Sequence, residues 1–537
     1  MQEIELKFSL SSATLDAIYS APAPEGFQVT KQATQQLCSR YYDSQDHQLR
    51  KASMTLRTRD KDGDFLQTIK QGGGVRAGLS NTTEIEHALT ENLPDFTLIS
   101  DIELRSFLEK VDGGDQGPLR PIFETRITRR KWLLTTAGEE ITVEVALDQG
   151  HACTDTAQTP IVEMELELKK GPPEALYHIA KELLGQHPFM FSTLNKAAIG
   201  YQLTQGNAPE QGYPPQTTIG VKLNETDRAY ISLQEMLQNC LSQISSNRMA
   251  VLSHEDPSGP HQMRVGLRRL RSLLQAGKSY FPEEIRQRFD RDAQLIATAL
   301  GNLRDLDVLI ADIIVPAQPS LPEDLTAAPL LTAIEQAREE TRREVRSLLK
   351  STEVNHFLLD LARFCYVLEP VCTRFVSHQE TSDHFTHKQL KKLTKSNSKL
   401  AAAALRKTWS NVSKKAQELQ SLTEEQRHDL RKALKKLRYS LEFFQSLYPK
   451  QSTQTFRGQL KKLQDIFGYL NDVAMAERLL ALQLSRTSDT AKLSLVIGFI
   501  AGWHQARCEQ AWCDAQTRWQ ALDTTPRFWE KSAMPEA

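Results

Sequence analysis

The sequence predicts an α+β multidomain protein, in which an antiparallel β domain precedes an all-α domain. Up to about Tyr201, short runs of alternating apolar and polar residues are separated by turn residues, which is typical of antiparallel strands. From about Leu223 onward, apolar residues recur at helical spacing almost throughout. A chain of 537 residues also exceeds what one hydrophobic core organises. We therefore predict a β domain at 1–203, a Pro- and Gly-rich linker at 204–219, a helical domain at 220–520 and a tail at 521–537.

The composition limits the class of protein. Hydrophobic residues make up 40% and charged residues 25% of the chain, as in ordinary globular proteins, and the net charge of −1 indicates no preferred partner. The seven cysteines are scattered without a Cys-x-x-Cys motif, so we expect reduced thiols rather than disulfides or a zinc site. Charges begin at residue 3, and the longest apolar run, 495–503, is too short for a membrane span. We expect a cytoplasmic protein with no membrane partner.

Three predicted strands carry carboxylates on one face only. A strand sends successive side chains to opposite faces, so acidic residues at alternate positions share a face. One such strand is more often an ordinary polar surface, but three of them indicate a shared acidic interior, which suits a divalent cation. The residues are Glu3 and Glu5, Glu84 and Glu86, and Glu163, Glu165 and Glu167. Other strands are predicted at 54–59, 65–70, 131–136 and 141–147, with a hairpin turn at Asp62-Gly63.

Basic residues follow the same alternation in other predicted strands. They include Arg57 and Arg59, which share a face, together with Lys70 and Arg129. An interior that holds both signs of charge suits a polyanion bound through cations and through bridging metal ions, because arginine grips phosphate in a fork and lysine acts as a point charge. The alternative is a sheet with salt bridges on its outer face, which is the better interpretation of any one strand. The complete set favours the interior site.

The ordered motifs of this half resemble the CYTH superfamily, the triphosphate tunnel metalloenzymes. The resemblance implies an eight-stranded antiparallel barrel, open at both ends, with a triphosphate bound inside. Members include inorganic triphosphatases, thiamine triphosphatases, RNA triphosphatases and class IV adenylate cyclases. The motifs are Glu3-x-Glu5-x-Lys7, Tyr41-Tyr42-Asp43, Leu49-Arg50, Leu56-Arg57-x-Arg59, Lys70, Glu84-x-Glu86, Arg129-x-x-Trp132, Asp148-Gln149-Gly150, Glu163-x-Glu165-x-Glu167 and Lys196-Ala-Ala-x-Gly200-Tyr201.

The resemblance also implies roles for individual residues. The catalytic residues it implies are Lys7, Glu5 and Glu165. The carboxylates that it implies as ligands of Mg²⁺ or Mn²⁺ are Glu3, Glu5, Glu163 and Glu165, joined by Glu144 and Asp148 of the same strand parity. The residues that it implies as phosphate ligands are Lys7, Arg57, Arg59, Lys70, Arg129 and Lys196. One position departs from the pattern: Ile199 stands where the family often has arginine, which removes one cation.

The helical half contains an internal duplication with a constant offset of 167 residues. The segment 261–271 matches 428–438 in residue types, and the same offset relates Asp305 to Asp472 and the glycine four residues before each. A constant offset over this span is hard to obtain by chance. We therefore predict two homologous helical halves packed about a pseudo-two-fold axis.

Each copy places one histidine and three basic residues on one helical face, at positions i, i+3, i+7 and i+10. Like charges stacked in this way repel unless an anion binds. A solvated surface is the better interpretation of one such helix, but the duplication favours a single basic groove for a chain of phosphates. Each histidine is expected to cap its helix or donate to phosphate. The residues are His261, Arg264, Arg268, Arg271, His428, Arg431, Lys435 and Arg438.

Residues 220–515 resemble the CHAD domain, a conserved-histidine α-helical domain often fused after CYTH. The resemblance implies two four-helix halves that bind inorganic polyphosphate without catalysis. Our leading hypothesis is metal-dependent hydrolysis of inorganic triphosphate to pyrophosphate and phosphate, with polyphosphate bound by the helical domain and association with polyphosphate granules.

Three alternatives are open. The first is a polyphosphate-binding adaptor with a degenerate tunnel, and the second is an enzyme for nucleotide or thiamine triphosphates. DNA binding by the basic groove is the third, but the sequence has no recognition module and little aromatic interleaving. We therefore expect no specific nucleic acid partner.

Overall fold

The computed structural model describes residues 2–72, 78–114, 117–185, 187, 189–192, 194–206, 214–378, 384–484 and 490–530. The chain divides into two compact units. The first comprises Met1–Pro214, Leu252–His254 and Lys350–Tyr366, and the second comprises Pro215–Val251, Glu255–Leu349 and Val367–Ala537. Parts of the predicted linker (207–213) and of the predicted tail (531–537) lie outside the described residues.

The first unit is built on a single antiparallel sheet. Its described strands are β1 Gln2–Ser9, β2 Phe27–Lys31, β3 Gln35–Asp43, β4 Met54–Lys61, β5 Asp64–Gly72, β6 Leu79–Leu89, β7 Arg120–Thr136, β8 Thr142–Cys153, β9 Gln158–Lys170 and β10 Met190–Phe191. Every strand predicted from the alternation lies within one of these, except that the one predicted at 141–147 begins one residue before β8. The predicted hairpin turn is confirmed as well: Asp62 and Gly63 both have positive φ, which matches the right-handed twist of the strands they join.

Eight of these strands close into a barrel, as predicted. Their order is β1, β6, β5, β4, β3, β7, β8 and β9, and the pairing of β9 with β1 completes the circle. The short strands β2 and β10 pair with β7 and β1 outside this circle. Because closure leaves no free edge in the ring, the alternation of side chains divides the barrel into an inner and an outer face.

The barrel has its charged face inside and its apolar face outside. On β1, Leu6 and Phe8 are fully buried, and Phe8 packs against Phe189 and Phe191 with ring centroids 5.1 and 5.5 Å apart. The alternate residues Glu5 and Lys7 line the interior cavity. A slip of one residue would exchange the two faces, so burial on the outside fixes the register that points the charges inward.

Helices pack around this barrel. Those of the first unit's N-terminal segment are α1 Ser12–Ser20, α2 Gln48–Lys51, α3 Ile102–Asp112, α4 Glu174–Leu184 and α5 Lys196–Thr204, with a 3₁₀ turn at Phe96–Leu98. Helix α5 approaches β7 closely at Gly200, where a Cβ atom would lie 2.1 Å from the ring of Phe123. Asn195 caps α5 by accepting from the Ala198 N–H. Lys196, the first residue of the helix, reaches the cavity.

The remainder of the described chain is helical. The helices are α6 Ala229–Ser253, α7 Ser258–Ala276, α8 Glu283–Val308, α9 Val315–Ala317, α10 Ala328–Leu349, α11 Thr352–His378, α12 His387–Leu393, α13 Asn397–Lys415, α14 Glu424–Phe444, α15 Lys450–Leu484 and α16 Thr490–Asp523. A π-helical segment, Leu309–Ile314, follows α8, and 3₁₀ turns lie at Gln318–Ser320, Leu419–Ser421 and Gln445–Leu447. Within the described residues, no helix is long and apolar enough to cross a membrane.

The duplication seen in the sequence is a duplication of four helices. Helices α6, α7, α8 and α10 correspond in order to α13, α14, α15 and α16, whose first residues lie 168, 166, 167 and 162 positions further on. Within each set, consecutive helices pack against each other, and α7 also packs against its counterpart α14. The predicted pair of homologous four-helix halves is therefore confirmed.

The segment that follows α16 belongs to the packed structure. Trp529 is fully buried, and its ring lies 4.9 Å from that of Phe456 and 6.3 Å from that of Trp409. Aromatic burial of this size stabilises the end of the second unit. The sequence gave no reason to expect it, because a lone aromatic residue after a helix has no periodicity.

We predict that Gly200→Ala destabilises the barrel. The added methyl group would collide with Phe123 in the α5–β7 interface, and overpacking of this kind costs about 1–3 kcal/mol. Thermal unfolding followed by circular dichroism should show a lower midpoint for the barrel transition. Gly458→Ala is the matched control, since Gly458 also lies in a helix but has open space at its Cβ position. A Gly200→Ala protein as stable as this control would contradict the prediction.

Candidate active site and anion-binding groove

The barrel encloses a cavity of about 530 Å³. Ten basic and seven acidic side chains line it, so charged groups of both signs share one enclosed space. Of the substrate-binding residues inferred from sequence, all six line this cavity: Lys7, Arg57, Arg59, Lys70, Arg129 and Lys196. The inferred metal ligands Glu3, Glu5, Glu144 and Glu165 line it too, while Asp148 and Glu163 lie buried behind the surface.

The strand order confines the lining carboxylates to one wall, which also carries Lys7 on β1 and Lys169 on β9. The strands β8, β9, β1 and β6 are consecutive in the barrel and carry all seven lining carboxylates. The other wall consists of β5, β4, β3 and β7, and its basic side chains include Arg57 and Arg59 on β4. In an eight-stranded ring, β4 lies four positions from β9. The Arg57–Arg59 pair therefore faces Glu165 across the cavity.

Three buried carboxylates on the acidic wall form one cluster with three cations. Oxygen atoms of Asp148, Glu163 and Glu165 all lie within 4.8 Å of one another. The Lys196 ammonium group contacts all three, at 2.6 Å from Asp148 and 2.9 Å from Glu165. Arg129 donates to both oxygens of Asp148 at 2.6 and 2.7 Å and to Glu165 at 2.6 Å, and Lys7 lies 2.9 Å from Glu165.

The charges in this cluster determine the protonation of its carboxyl groups. Burial raises the pKa of Glu165, but Lys196, Lys7 and Arg129 outweigh it and hold that pKa well below the usual range. Burial raises the pKa of Glu163 to about 7 despite the attraction of Lys196, and the neighbouring Glu165 adds to the increase. Glu165 is thus an acceptor for three cations, whereas Glu163 is poised to change its charge near neutral pH.

A second row of carboxylates crosses three strands at one level. Glu5 is the register partner of Glu167, which in turn is the partner of Glu144. The Lys70 ammonium group contacts two carboxylates of β1: it lies 2.6 Å from Glu3 and 3.5 Å from Glu5. The six metal ligands inferred from sequence therefore fall into two groups: Glu3, Glu5 and Glu144 in this row, and Asp148, Glu163 and Glu165 in the buried cluster, of which Glu165 also lines the cavity.

The basic wall contains guanidinium groups with free hydrogen-bonding capacity. Arg59 donates to the Ser39 hydroxyl at 3.0 Å, and none of the described carboxylates forms an ion pair with it. Burial and the adjacent Arg57 lower the pKa of Arg59 to about 9. The Nε atom of Arg57 is buried with no acceptor among the described residues, although the group lies 3.5 Å from Glu84. An anion between β4 and β9 would satisfy both groups.

Several lining residues were absent from the site inferred by sequence. Most lie two residues beyond a charged residue already noted on the same strand, and therefore on the same face, so strand alternation alone could have identified them. Arg50 differs, because it lies on the short helix α2, and only its place in the Leu49-Arg50 motif marked it. The additional charged residues are Arg50, Lys61, Lys131 and Lys169, whereas Glu84, Glu86 and Glu167, which also line the cavity, were among the carboxylates expected in the acidic interior.

Ile199 was expected to remove a cation from the tunnel. Its side chain instead packs against the apolar cluster that contains Leu37 and Ile127. It is not among the residues that line the cavity, whereas Lys196 and Tyr201 of the same helix are. An apolar residue at this position thus contributes to the docking of α5 on the barrel.

The predicted basic rows lie on α7 and α14 of the second unit. Equivalent arginines in the two rows pair with equivalent aspartates. Arg264 lies 3.7 Å from Asp305 on α8, and its counterpart Arg431 lies 3.6 Å from Asp472 on α15. The Nε atoms of both arginines are buried without an acceptor among the described residues. The duplication therefore preserves an ion pair and an unsatisfied donor as well as residue types.

The inner cations of the two rows converge, while the outer ones have partners of their own. Burial, together with the nearby Arg268, Arg431 and Arg264, lowers the pKa of Lys435 to about 6. After burial, the contributions of Arg264 and Arg268 on α7 and of Arg431 on α14 indicate that cations from both rows lie near Lys435. The outer Arg271 pairs with Asp290 at 3.0 Å, and the outer Arg438 pairs with Glu442 at 3.1 Å.

The histidines are not helix caps, which corrects one of the two roles expected for them. Thr423 caps α14 through a capping box, and α7 follows Pro257. His428 instead contacts Asn471 at 3.0 Å. Burial and surrounding arginines, first of all Arg304, lower the pKa of His261 to about 4.

Comparison with known proteins agrees with this division of the chain. The CYTH domain profile matches residues 1–201, and the CHAD domain profile matches residues 235–481. An inorganic triphosphatase of Haemophilus influenzae is 32% identical over 203 residues, which cover 38% of this chain and 55% of that protein. The chain thus matches about half the length of this curated relative.

Solved structures with related folds are more distant in sequence. The CHAD domain from the plant Ricinus communis is 24% identical, with a TM-score of 0.49, and the match covers 59% of this chain and 99% of that one. A putative adenylyl cyclase from Hippeastrum, described as having a dominant triphosphatase activity, is 17% identical, with a TM-score of 0.29, and the match covers 37% of this chain and 95% of that one. Taken with the closed barrel and the duplicated helices, the profile matches show a CYTH domain at residues 1–201 followed by a CHAD domain at residues 235–481.

Proposed function

We propose that the barrel hydrolyses inorganic triphosphate with the help of a divalent cation, and that the helical domain binds inorganic polyphosphate. The observation that carries the proposal is the pair of opposed walls, one basic and one acidic, around a single cavity. A basic wall binds phosphate oxygens directly, whereas an acidic wall repels them unless a metal ion lies between. Both features are needed only when the ligand is a polyanion that arrives with a divalent cation.

The residues of the chain would then act mainly by positioning and by neutralising charge. Arg57 and Arg59 hold the triphosphate from one side, and Lys7, Lys70, Arg129 and Lys196 approach it from the other strands and from α5. Phosphoryl transfer requires little covalent chemistry from the protein, so fixed cations around the transferred group supply most of the acceleration. A carboxylate of the acidic wall accepts the proton of the attacking water.

The carboxylate groups suit Mg²⁺ or Mn²⁺. Both ions prefer oxygen ligands, and the acidic wall offers Glu3, Glu5, Glu144 and Glu165 toward the cavity, with Asp148 and Glu163 buried behind them. Cations contact both groups of carboxylates: Lys7, Lys70 and Lys131 contact the row, and Lys7, Arg129 and Lys196 contact the buried cluster. A metal ion in either group would therefore take the place of some of these contacts. A bound divalent cation supplies charge neutralisation and a more acidic water molecule.

The lining of the cavity favours an inorganic substrate over a nucleotide or thiamine triphosphate. Among the described lining residues only Tyr41 and Tyr201 are aromatic, and Tyr41 is stacked on Phe123 with ring centroids 4.6 Å apart. A base or thiazole ring would need an apolar or aromatic surface that these residues do not offer. The relative in Haemophilus influenzae, named an inorganic triphosphatase, supports the same choice.

Polyphosphate binding by the helical domain is supported by the twin arginines. The buried Nε atoms of Arg264 and Arg431 lack acceptors among the described residues, and a buried unsatisfied donor is costly. A flexible phosphate chain along the two rows would satisfy both. Binding of this kind would be consistent with a cytoplasmic protein associated with polyphosphate granules, which we propose as its location.

We predict that Glu5→Gln abolishes metal-dependent hydrolysis while the protein stays folded. Replacing a carboxylate by an amide removes the negative charge from the row that faces the cavity, and loss of one such electrostatic contact lowers kcat by about 100-fold or more. The measurement is phosphate release from inorganic triphosphate with Mg²⁺, with Mn²⁺ and with EDTA.

Glu124→Gln is the matched control for this experiment. Glu124 lies on β7 and pairs with Arg40 at 2.9 Å, and neither residue lines the cavity. Its variant should keep full activity. If the wild type releases no phosphate with either metal, the enzyme hypothesis is wrong. Polyphosphate binding would then support the adaptor alternative.

We predict that polyphosphate binding to the helical domain strengthens as pH falls from about 8 to 6. In the free protein the pKa of Lys435 is about 6, so its amine is largely neutral at pH 8. A bound polyanion favours the ammonium form, and binding therefore takes up a proton. Above pH 6 this linkage gives up to about tenfold in affinity per pH unit, and the dependence flattens at lower pH.

Lys435→Arg is the informative variant, because the duplication places Arg268 at the equivalent position. Arginine stays protonated, so calorimetry in buffers of different ionisation enthalpy should detect less proton uptake on binding. Asp305, Asp472 and His261 also face the groove and contribute any pH dependence that the variant retains. Equal proton uptake by the variant and the wild type would refute the role of Lys435.

A further inference from the structure

Arg50 occupies a distinct place among the cations of the barrel cavity. It lies on α2 immediately before β4, so it follows Arg59 and Arg57 in the direction of the α5 end of the barrel. Its guanidinium group lines the cavity, and none of the described carboxylates forms an ion pair with it. The side chain is exposed, which leaves its donors accessible to a ligand.

A buried aspartate holds the helix that carries Arg50. The carboxylate of Asp43 accepts the backbone N–H groups of Ser44, Leu49 and Arg50 at 2.8, 2.9 and 3.1 Å. It also accepts the hydroxyl of Tyr201 at 2.6 Å. Asp43 is completely buried, so these four donors are what stabilise its charge. A helix of only four residues is not stable alone, and this carboxylate gives it a fixed position.

Tyr201 links Arg50 to the rest of the phosphate site. The Arg50 guanidinium lies 4.8 Å above the Tyr201 ring, and a cation at this distance is attracted to the ring face. Tyr201 contacts Phe123, which stacks on Tyr41. Tyr41 in turn lies close enough to Arg57 for the two groups to interact electrostatically. One aromatic stack therefore supports two arginines, Arg57 and Arg50, which face the same cavity.

The backbone on both sides of α2 adopts an unusual conformation. His47 and Ser53 have φ values of 59° and 55°, a region that side chains other than glycine rarely occupy. Such conformations persist when surrounding contacts stabilise them, and they cluster where a side chain has to be aimed at a ligand. Here the segment between them presents Arg50 to the cavity.

We propose that Arg50 binds the end of a triphosphate that extends beyond the Arg57–Arg59 pair, and that it thereby distinguishes triphosphate from pyrophosphate. This inference rests on the proposed function of the barrel. A pyrophosphate held by the two β4 arginines is too short to reach α2 as well, whereas a third phosphoryl group extends the ligand toward Arg50. Tyr201 and Asp43, which share a hydrogen bond, act only by holding Arg50 in place, so both are positioning residues.

The test compares Arg50→Ala with the wild-type full-length protein and with Lys51→Ala. Lys51 is the next residue on α2, pairs with Asp46 at 3.2 Å, and does not line the cavity. Calorimetric titration with inorganic triphosphate and with pyrophosphate, in EDTA, measures binding without turnover. The KM for triphosphate and the inhibition constant of pyrophosphate, measured with Mg²⁺, provide the second readout.

For Arg50→Ala we expect triphosphate affinity to fall about tenfold or more, as for loss of a charged hydrogen bond, with pyrophosphate affinity nearly unchanged. Arg50→Lys should recover part of the loss, and Lys51→Ala should match the wild type.

An equal loss for both ligands, or none for triphosphate, would overturn the inference. A wild type that neither binds nor hydrolyses triphosphate would instead refute the proposed function. Thermal unfolding of each variant confirms that its α2 region is folded, and Tyr201→Phe should reproduce a smaller loss of the same selectivity.

Discussion

Charge compensation inside the barrel is the constraint on which the β domain depends. Three buried carboxylates, Asp148, Glu163 and Glu165, could not remain ionised away from water without the cations that contact them. One of these cations, Lys196, comes from α5 rather than from the barrel. Docking of α5 therefore completes both the hydrophobic exterior and the charged interior. The close approach at Gly200 matters to the site for this reason, although it lies on the opposite side of the wall.

The helical domain treats charge in the opposite way. Its inner cations are balanced only in part, because Asp305 and Asp472 each lie more than 3.5 Å from their arginines. Burial, with added repulsion from the neighbouring arginines, lowers the pKa of Lys435 far below that of an ordinary lysine. A folded domain that keeps such a cluster gives up stability for a preformed anion site. The four-helix duplication explains how the cluster arises, since each half contributes one row and one aspartate.

Alternation predicted the strands and the shared charged interior, and the constant offset predicted the duplication, whereas the closed barrel, the four-helix halves and the roles of individual residues were implied by the resemblance to CYTH and CHAD domains. The sequence alone could not separate Glu3 and Glu5, which face the cavity, from Glu163 and Asp148, which are buried behind it. That difference depends on barrel closure, which brings β9 against β1, and on the insertion of Lys196. Arg50 was equally beyond alternation, because the hydrogen bonds of Asp43, rather than a strand, determine its direction.

Under the proposed functions, the two domains would recognise phosphate chains by different physical means. In the barrel, the wall that carries the carboxylates would accept a polyanion only together with a divalent cation that neutralises it. The groove has no comparable acidic wall among its described residues, so its cations would attract any chain of phosphates, and more strongly when Lys435 is protonated. We therefore propose that selectivity for length and metal belongs to the barrel cavity, which holds both signs of charge, while the largely basic groove supplies affinity for long chains. A single chain that carries both would then bind a polymer at one site and process a short member of the same chemical class at the other.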